Sequence, residues 1–489
     1  MRILLIKPHY RYSVEIAPPL GLGYLAAMAQ REGHEVRILD NRLAQQGERT
    51  TRQTLHSWRP DMLGISAVFH EYEMARQVAQ TARTILPDIN LVVGGPLATA
   101  DPALATLDGL SDYAVIGEGE SVFMEIISRL DAGRDAHDVR GIVFRNADGT
   151  VTINPPAIPI EDLDALPYPA WDLMDIQTYF RVTRMGLVYK KWHYWPIFTS
   201  RGCPYQCIYC HNVFGKVFRG RSSYNVVDEM EMLKQRYDIR EIHVLDDIFN
   251  ANRERASAIL QEIIDRRLNM ALCFNGGLRG DIIDQEFVDL MYRAGTYRVS
   301  VAIESGSPRI QRVISKNVDL ERVRQSIEMM ARKRILTNAF VMFGFPTETE
   351  EEAKETIKFT CRTKAHSASF FFINCFPGTK LAELVKEHYR KKGELPKPTN
   401  YFDPQAANLE ISEIPPTKLR SLVRSAWWRF YVLSPWRLWR IFRDFPSKHS
   451  LFYVAWVVLV RALTLAPWVA PINWRRATKK MDEYYRADV

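Results

Sequence analysis

Cysteine is scarce in this chain, which has 6 cysteines among 489 residues. A long chain with so few cysteines is not a disulfide-bonded scaffold, and it suits a reducing compartment. Long apolar runs are also missing. The N-terminal run at 2–7 is too short for a secretory signal, and the run at 451–460 is interrupted by Arg461 and Pro467 before it reaches the length of about 20 residues that a bilayer span needs. We therefore expect a cytoplasmic protein.

Excess charge is absent from most of the chain. The formal net charge is +8, but residues 416–489 alone carry 14 Lys and Arg against 4 Asp and Glu, so the remainder is nearly neutral. The main body therefore offers no sign of a basic surface for nucleic acid, and we predict no nucleic-acid partner. With 47% apolar and 25% charged residues, the chain is expected to form two or three globular domains.

Three of the six cysteines stand together, and their spacing indicates a metal centre. Cys203, Cys207 and Cys210 form a C-x3-C-x2-C run. Thiolates at that spacing on a tight loop can converge on one face of an iron–sulfur cube, and three ligands leave one iron open to a substrate or cofactor. A zinc site and structural cysteines are the alternatives, although no fourth cysteine lies nearby and His211 directly follows Cys210.

The N-terminal third alternates strand-like and helical segments. Apolar runs lie at 2–7, 35–40, 62–66, 91–95 and 113–117. This alternation predicts a doubly wound parallel sheet, whose ligands bind at the carboxyl ends of the strands. Glycine at those ends either lets a bulky ligand approach the backbone or forms ordinary tight turns. The predicted ligand contacts at these strand ends are five glycines and two polar residues: Gly64, Gly94, Gly95, Gly117, Gly119, Ser66 and Glu118.

The middle of the chain contains a linker and a second alternating region. Residues 136–190 are predicted to form a hairpin around an Asp-Gly turn and then a proline-rich strap. Residues 191–395 again alternate strands and helices. The predicted strands lie at 195–199, 241–245, 271–275, 298–303, 338–343 and 369–374.

The cysteine loop resembles that of the radical SAM enzymes, whose C-x3-C-x-aromatic-C signature is completed by Tyr209. The resemblance implies a 4Fe–4S cluster on the three cysteines. Its open iron would bind S-adenosylmethionine (SAM), and one electron would split SAM to give a 5′-deoxyadenosyl radical. The resemblance also implies a partial (β/α)6 barrel with its chemistry at the carboxyl ends of the strands. An electron donor such as flavodoxin or ferredoxin is then expected.

Several residues at those strand ends match positions of the radical SAM family. The resemblance implies SAM contacts for Tyr209, Asp246, Asp247, Arg279, Glu304, Ser305 and Gly344. Glu304 would accept hydrogen bonds from the ribose hydroxyls, and the aspartates would lie near the amino group. The ordinary alternatives are a helix cap for the aspartates and an exposed helix start for Arg279. Cys375, after the sixth strand, would either donate hydrogen or meet a substrate as a catalytic thiol, or be an inert core residue.

The glycine-rich N-terminal third resembles the cobalamin-binding domain fused ahead of many radical SAM enzymes. Where cobalamin domains of the mutase type have D-x-H-x-x-G, this chain has Lys7-Pro8-His9-Tyr10. The resemblance therefore implies cobalamin with its own base displaced and no histidine from that motif on cobalt. Pro8 and the seven strand-end residues named above are the predicted contacts. Phe69 and His70 are predicted to face the lower side of the corrin, and a surface histidine in a loop is the alternative for His70.

The C-terminal segment, 396–489, is predicted to be mostly helical. It holds seven of the 11 tryptophans, interleaved with arginines. Aromatic and basic residues beside an apolar run suit a membrane interface, which would make the protein peripheral at the inner face of the membrane. A helical cap packed on the barrel is the alternative. The same composition suggests a lipophilic substrate.

Together these features predict an α/β protein with four parts. A Rossmann-like cobalamin-binding domain (1–135) and a linker (136–190) precede a radical SAM domain (191–395) and a helical C-terminal domain (396–489). The resemblance implies a methyltransferase in which one SAM methylates cobalamin and a second gives the radical that attacks an unactivated carbon of a lipophilic small molecule. The alternatives are a cyclase or oxidoreductase without net methyl transfer, similar to the anaerobic tetrapyrrole cyclase, and a non-catalytic cobalamin- or cluster-binding protein.

Overall fold

The structure is a computed structural model that describes residues 1–9, 16–43, 47–182, 188–210, 213–390, 409–447 and 451. The described residues form two α/β domains joined by a strap, and a helical cap covers part of the second domain. Among them, no helix has both the length and the apolar character that a membrane span requires.

The first domain is a seven-stranded sheet with helices on both faces. Its strands are β1 (Arg2–Lys7), β2 (Glu35–Asp40), β3 (Met62–Ser66), β4 (Asn90–Gly94), β5 (Tyr113–Val115), β6 (Ile142–Arg145) and β7 (Val151–Ile153). Its helices are α1 (Leu20–Arg31), α2 (Glu48–Trp58), α3 (Tyr72–Ile85), α4 (Pro96–Ala100), α5 (Pro102–Ala105) and α6 (Glu120–Asp131). The strand order is β2-β1-β3-β4-β5-β6-β7, and the first five strands are parallel, which confirms the doubly wound fold.

The two faces of β1 show why this sheet needs helices on both sides. Leu5 is buried in the cluster that contains residues of α1 and α6, whereas Leu4 and Ile6 are buried against α2 and α3. Alternating side chains point to opposite faces of a strand, so a strand that is apolar throughout must be covered on both. The carboxyl ends of the parallel strands therefore meet at one edge, between the two layers of helices.

The linker attaches to both domains. The predicted hairpin forms as β6 and β7, and β6 pairs antiparallel with β5, so the hairpin extends the first sheet. The strap that follows includes α7 (Ile176–Tyr179). Its Tyr179 hydroxyl donates to Asp40 at 2.7 Å, and its Trp171 ring packs edge-on against Trp195 of the second domain at 5.6 Å. The strap is thus a packed wedge between the domains.

The second domain is an open barrel. Its main strands are β8 (Tyr194–Ile197), β11 (Glu241–Val244), β12 (Ala271–Leu278), β13 (Thr296–Glu304), β14 (Leu336–Phe343) and β15 (Ser367–Phe372), while β9 (Ser200–Arg201) and β10 (Arg219–Gly220) form a small ribbon. Its helices are α8 (Ser223–Tyr237), α9 (Arg253–Asp265), α10 (Gln285–Arg293), α11 (Pro308–Val313), α12 (Leu320–Arg332), α13 (Glu350–Arg362) and α14 (Lys380–Arg390). The six main strands are all parallel, in the order β15-β14-β13-β12-β11-β8, which confirms the predicted partial barrel.

Capped helices follow the strands and fix the loops at one end of this barrel. Asp284 accepts a hydrogen bond from the Phe287 amide at the start of α10, and Thr349 and Glu352 form a capping box at the start of α13. These caps set the point at which each loop becomes a helix. The loops that carry the candidate functional residues therefore lie together at the carboxyl ends of the strands.

The described part of the C-terminal segment forms a cap on the barrel. Helix α15 (Pro416–Trp427) leads through a π-helical turn at Trp428–Val432 into α16 (Pro435–Asp444). Trp427 packs on Phe370 at 5.9 Å, and the Tyr431 hydroxyl bonds to both the amide and the carbonyl of Ala368 in β15. This contact covers an otherwise open sheet edge. The apolar run at 452–460 and Trp456, Trp468 and Trp474 lie outside the described residues.

Candidate active site

The three clustered cysteines lie on a loop that connects β9 to β10. These two short strands pair antiparallel, so the loop begins and ends at the same place. Gly202 opens the loop with φ of 81°, and a Cβ at this position would collide with the Val217 carbonyl oxygen. The Cys203 amide donates to the Gly215 carbonyl at 3.3 Å, which closes the loop on itself. Only glycine fits at position 202 in this fold.

Asp246 anchors the start of the loop, and both of its carboxylate oxygens accept hydrogen bonds from the protein itself. Its carboxylate accepts hydrogen bonds from the Thr199 amide at 2.6 Å, from the Thr199 hydroxyl at 2.5 Å and from the Ser200 hydroxyl at 2.5 Å. These three donors occupy both oxygens. In this structure the Asp246 side chain positions the strand that leads into the cysteine loop, and its contact with SAM stays a prediction.

Asp247, in contrast, lines the cleft. It accepts a hydrogen bond from the Gly202 amide at 3.2 Å, and its side chain borders the cavity between the domains. Enclosure within the cleft and then the charge of Asp246 raise the pKa of the Asp247 carboxyl. The two adjacent aspartates thus have different roles that their spacing in the sequence did not reveal.

The cysteine loop fits a cluster better than a single metal ion. Desolvation within the loop, followed by the neighbouring charges of Cys207 and Cys203, raises the pKa of Cys210, although this residue reaches the surface, and burial raises the pKa of Cys203. Three thiolates so close together need a strongly positive partner. Three cysteines are one ligand short of a closed structural zinc site, whereas a 4Fe–4S cluster held by three thiolates keeps one iron open, so the donor set suits the cluster.

Glu304 presents an open acceptor at the end of β13. It has φ of 66°, and the pairing of β13 with β14 shifts register just before it. One carboxylate oxygen accepts from Lys316 Nζ at 3.1 Å, whereas the other is buried and has no hydrogen-bond partner among the described residues. A buried acceptor without a partner is rare in a folded protein and indicates a missing ligand. This oxygen suits a hydroxyl donor such as those of a ribose.

Tyr209 lies beside this carboxylate. Burial raises the pKa of Tyr209 well above its ordinary value, and the charge of Glu304 contributes next. Ser305 follows Glu304 but turns away. Its hydroxyl lies 3.2 Å from the Thr356 hydroxyl and accepts from the Ser307 amide at 3.1 Å, and the residue is fully buried. In this structure the Ser305 side chain holds the turn that supports Glu304, and its contact with SAM stays a prediction.

Arg279 and Gly344 are also occupied by the protein itself. The Arg279 guanidinium pairs with Asp281 at 2.9 Å, donates to the carbonyls of Lys316 and Asn317, and lies 4.0 Å over the Tyr205 ring. It therefore supports both the cysteine loop and the segment that carries Lys316. Gly344 donates its amide to Glu348 at 2.6 Å, and a Cβ there would lie 3.0 Å from Leu419 of α15. The SAM contacts of Arg279 and Gly344 stay predictions.

Glu348 is a buried acid whose role the sequence did not predict. Its carboxylate also accepts from the Phe345 amide at 3.2 Å, and burial raises its pKa to about 8. It shapes the turn after β14. Cys375, after β15, is half-buried at the border of an apolar cluster that also contacts Tyr209 and Phe371. Burial raises the pKa of the Cys375 thiol, which keeps it protonated near neutral pH.

A cavity of about 420 Å³ lies between the carboxyl ends of the first sheet and the second domain. Its second wall is formed by Phe198, Arg201, Val213, Phe214, Leu245 and Asp247. Seven of the ten predicted cobalamin contacts line the first wall: Gly64, Ser66, Gly94, Gly95, Gly117, Glu118 and Gly119. The cavity volume falls in the range of ordinary ligand sites.

The shape of this cavity depends on glycines, which have no side chain. A Cβ at Gly64 would lie 2.7 Å from Leu5, and one at Gly95 would lie 3.0 Å from the Ser66 hydroxyl oxygen. The cavity continues inward between the sheet and helices α1 and α6, where Leu22 and Phe123 line it. A narrow apolar slot below a glycine-rich rim suits a flat heteroaromatic group, and the residues present fit the displaced base of cobalamin.

Pro8, Phe69 and His70 lie outside this cavity lining. Phe69 and His70 belong to a 3₁₀ turn at Phe69–Glu71, which is held by a buried ion pair between Lys7 and Glu71. His70 is exposed at the surface. The prediction that these two residues face the corrin is therefore not supported, because the Lys7–Glu71 pair fixes the turn beside the cavity rather than in it.

Four buried charges join the two walls of the cavity, and we call them the interdomain clamp: Glu118, Glu120, Arg201 and Arg219. Arg201 pairs with Glu118 at 3.1 Å and with Glu120 at 2.6 Å, and Arg219 also pairs with Glu118. All four side chains are at most 8% exposed. Glu118 was expected to contact cobalamin, but both of its oxygens accept from arginines.

The interdomain clamp also holds the wall of the cavity. Arg219 donates to the carbonyls of Ile160 in the strap at 2.5 Å and of Phe214 at 2.9 Å. Arg201 lies 5.2 Å from the rings of Tyr24 and Phe214. Sequence reasoning missed Glu120 and both arginines, although Arg201 and Glu120 directly flank motifs that it did single out.

Comparisons with known proteins agree with this architecture. Residues 11–127 match the family described as the B12 binding domain, and residues 197–360 match the radical SAM superfamily. The chain is 30% identical over 447 residues to an uncharacterized methyltransferase of Pyrococcus horikoshii, covering 88% of this chain and 93% of that protein. It is 29% identical to the anaerobic magnesium-protoporphyrin IX monomethyl ester cyclase of Rubrivivax gelatinosus, covering 73% of this chain and 65% of that protein.

A solved structure has the same fold. A radical S-adenosylmethionine methyltransferase from Kitasatospora setae, determined with cobalamin and a 4Fe–4S cluster bound, superposes with a TM-score of 0.67 at 23% identity. The match covers 79% of this chain and 75% of that chain. It therefore includes both α/β domains rather than one alone.

The interdomain clamp gives a first prediction. In Glu120→Gln, Arg201 has a neutral partner at position 120 instead of a charged one. We expect the free energy of protection against hydrogen exchange to fall by up to about 3 kcal/mol at the amides of segment 199–220. Hydrogen exchange of the protein without cofactors measures this. Glu125→Gln is the matched control on the same helix, because its pair with Arg129 is at the surface and should contribute little. Equal exchange in the two variants would contradict a role of the interdomain clamp.

Proposed function

This chain belongs to the cobalamin-dependent radical SAM family, and we propose that it is a methyltransferase that acts on an unactivated carbon of a lipophilic small molecule. Its cofactors are cobalamin, SAM and a 4Fe–4S cluster. The observation that carries the proposal is the single cavity whose walls come from the glycine-rich strand ends and from the cysteine-loop domain. A methyl carrier held in this cavity would face the domain that carries the cysteine loop, so the carrier and the radical initiator can act on the same substrate.

Different residues of the chain would hold the cluster, SAM and cobalamin. Cys203, Cys207 and Cys210 hold the cluster on the β9–β10 loop, and Glu304 and Tyr209 hold SAM. Gly64, Gly94 and the other glycines that line the cavity cradle cobalamin. When bound, the cluster supplies the electron that cleaves SAM, and cobalamin supplies the methyl group. The protein positions these groups, keeps water from the cavity and leaves the carboxyl ends of the barrel strands for the substrate.

Aromatic side chains inside the barrel support a lipophilic substrate. Phe340 and Phe371 face each other with ring centroids 6.0 Å apart, and a Cβ at Gly277 would lie 3.5 Å from Phe340. Both phenylalanines are only partly buried. Cys375 lies near Phe371 and is the proposed thiol that meets the substrate or returns a hydrogen atom. Its protonated state suits hydrogen donation.

The proposed partners follow from this chemistry. We infer that flavodoxin or ferredoxin supplies the electron, since no described residue is a source of reducing equivalents. We also propose a cytoplasmic location with peripheral contact of the C-terminal segment at the inner face of the membrane.

A second candidate function is ring formation or oxidation without net methyl transfer. The 29% identity to the Rubrivivax gelatinosus cyclase favours it, although this chain spans only 65% of that protein. The two functions share all three cofactors and the same cavity. They differ in whether the product keeps a methyl group from SAM.

Isotope labelling of the SAM methyl group tests the proposed function. The reconstituted protein, supplied anaerobically with SAM carrying a trideuterated methyl group, should yield a product heavier by the labelled methyl, together with 5′-deoxyadenosine, in mass spectrometry. Cys203→Ala should abolish both, since two thiolates cannot hold the cluster. A product without the label, formed with 5′-deoxyadenosine, would favour the cyclase. Unchanged turnover in Cys203→Ala would instead indicate a non-catalytic role for the loop.

Glu304 gives a prediction about SAM alone. Glu304→Gln replaces the open acceptor by an amide, and we expect SAM affinity to fall about tenfold to a hundredfold, as the loss of one or two charged hydrogen bonds would cause. Equilibrium dialysis on the cluster-loaded protein measures this. Glu351→Gln is the control, because it makes the same acid-to-amide change at an exposed position of α13. Equal SAM affinity in Glu304→Gln and the wild type would remove Glu304 from the site.

A further inference from the structure

Helix α16 presents its apolar residues to the outside and its charges to the inside. Arg437 and Arg440 are buried, at 0% and 9% exposure. The opposite stripe of the helix and the turn before it is exposed and apolar, and we call it the α16 face: Val432, Leu433, Trp436, Leu438, Trp439 and Phe442. A surface helix of a globular protein normally turns its apolar stripe towards the core. This arrangement is the reverse.

The two arginines fix the orientation of the helix. Arg437 donates to the carbonyls of Cys361 at 3.0 Å and Thr363 at 3.2 Å, and to that of Ala365. The first two carbonyls belong to the last turn of α13 and the residue after it, where a cation is favoured. Rotating α16 to bury its aromatic stripe would leave these carbonyls and a guanidinium unpaired.

A second buried pair fixes the end of the helix. Arg440 reaches His366, 3.4 Å from its Nε2 atom, and His366 bonds to Asp444 at 3.1 Å. The outward stripe is therefore imposed by polar contacts beneath the helix. Trp439 and Phe442 are left 58% and 68% exposed, and Leu433 is 72% exposed. A contiguous apolar patch of this kind on a protein surface marks an interaction site.

Cations rim the α16 face. Lys364 Nζ lies 5.0 Å over the Trp436 ring, and the Arg443 guanidinium lies 4.7 Å over the Trp439 ring. Arg334 is 68% exposed beside Asp444. An apolar centre with tryptophans and a basic rim matches the interface of a bilayer that contains anionic lipids.

The charge of residues 452–489 argues against this segment as the partner that covers the α16 face. Residues 452–489 contain 6 Lys and Arg against 3 Asp and Glu, so they are basic, like the rim of the α16 face. Two basic surfaces repel each other, whereas both are attracted to the same anionic surface. We propose that the α16 face docks the protein on an anionic membrane surface, which rests on the membrane contact proposed above and gives it a defined site.

The position of the α16 face makes docking compatible with catalysis. Its anchors, Thr363, Ala365 and His366, lie just before β15 begins, at the amino ends of the barrel strands. The cysteine loop and the cavity lie at the carboxyl ends. A docked protein would therefore keep its cofactor cavity turned away from the bilayer, and the membrane surface serves to locate the enzyme.

Vesicle co-sedimentation of the full chain without cofactors tests the proposal. We expect the wild type to bind vesicles of phosphatidylcholine with phosphatidylglycerol, to bind pure phosphatidylcholine weakly, and to be released by salt. Trp439→Glu/Phe442→Glu should weaken binding by about tenfold or more, since two aromatic side chains leave the interface. Ile153→Glu/Ile158→Glu is the matched control, because these exposed residues lie on the first domain and should leave binding unchanged.

Three outcomes would overturn the proposal. The first is equal binding of the α16 variant and the wild type, with binding lost only when 452–489 is deleted, because that assigns the membrane contact to the tail. The second is a wild-type dimer without vesicles that the α16 variant splits in light scattering, because a second copy then covers the face. The third is equal binding to neutral and anionic vesicles. If the reconstituted α16 variant cleaves SAM at the rate of the wild type, its fold is intact. If methylation fails while vesicle binding is intact, the result counts against the proposed function alone.

Discussion

A buried network of four charges sets the geometry on which the candidate active site depends. Arg201 directly precedes the cysteine loop, and Glu118 and Glu120 directly follow the last parallel strand of the first sheet. Charges removed from water are stable only when they are paired, so this network favours one arrangement of the two domains over all others. Arg219 extends the same constraint to the strap and to the cavity wall at Phe214. The distance between the cobalamin cradle and the cluster loop is thereby fixed before either cofactor binds.

The balance of satisfied and open polar groups separates supporting residues from binding residues. Asp246 and Ser305 have their polar atoms occupied by the protein, so they hold the loop and the turn in place. Glu304 keeps one buried oxygen without a partner among the described residues, and Asp247 lines the cavity. The same principle explains α16, where buried carbonyls and His366 draw two arginines inward and leave tryptophans outside.

Local sequence patterns were enough to predict the strands and the cluster loop. Apolar runs of the right length predicted both parallel sheets, which the structure confirms, and the spacing of Cys203, Cys207 and Cys210 predicts the metal centre. Contacts between distant residues were not predictable in this way. Arg201 and Glu118 are 83 positions apart, and Asp246 and Thr199 are 47 apart, so no local pattern indicated that these side chains would pair. Similarly, the interleaved Arg and Trp residues of α16 do not indicate which of them face inward, because the carbonyls at the end of α13 decide this.

The central claim is that the interdomain clamp holds cobalamin and the cluster at one fixed separation across the cavity. Pulsed electron paramagnetic resonance on the full chain, loaded with the reduced cluster and with cob(II)alamin, measures the dipolar coupling between the two unpaired spins. The account predicts one narrow distance distribution in the wild type, which broadens when Arg201 loses its acidic partners. A distribution that is already broad in the wild type, or one that is unchanged without those partners, would contradict it.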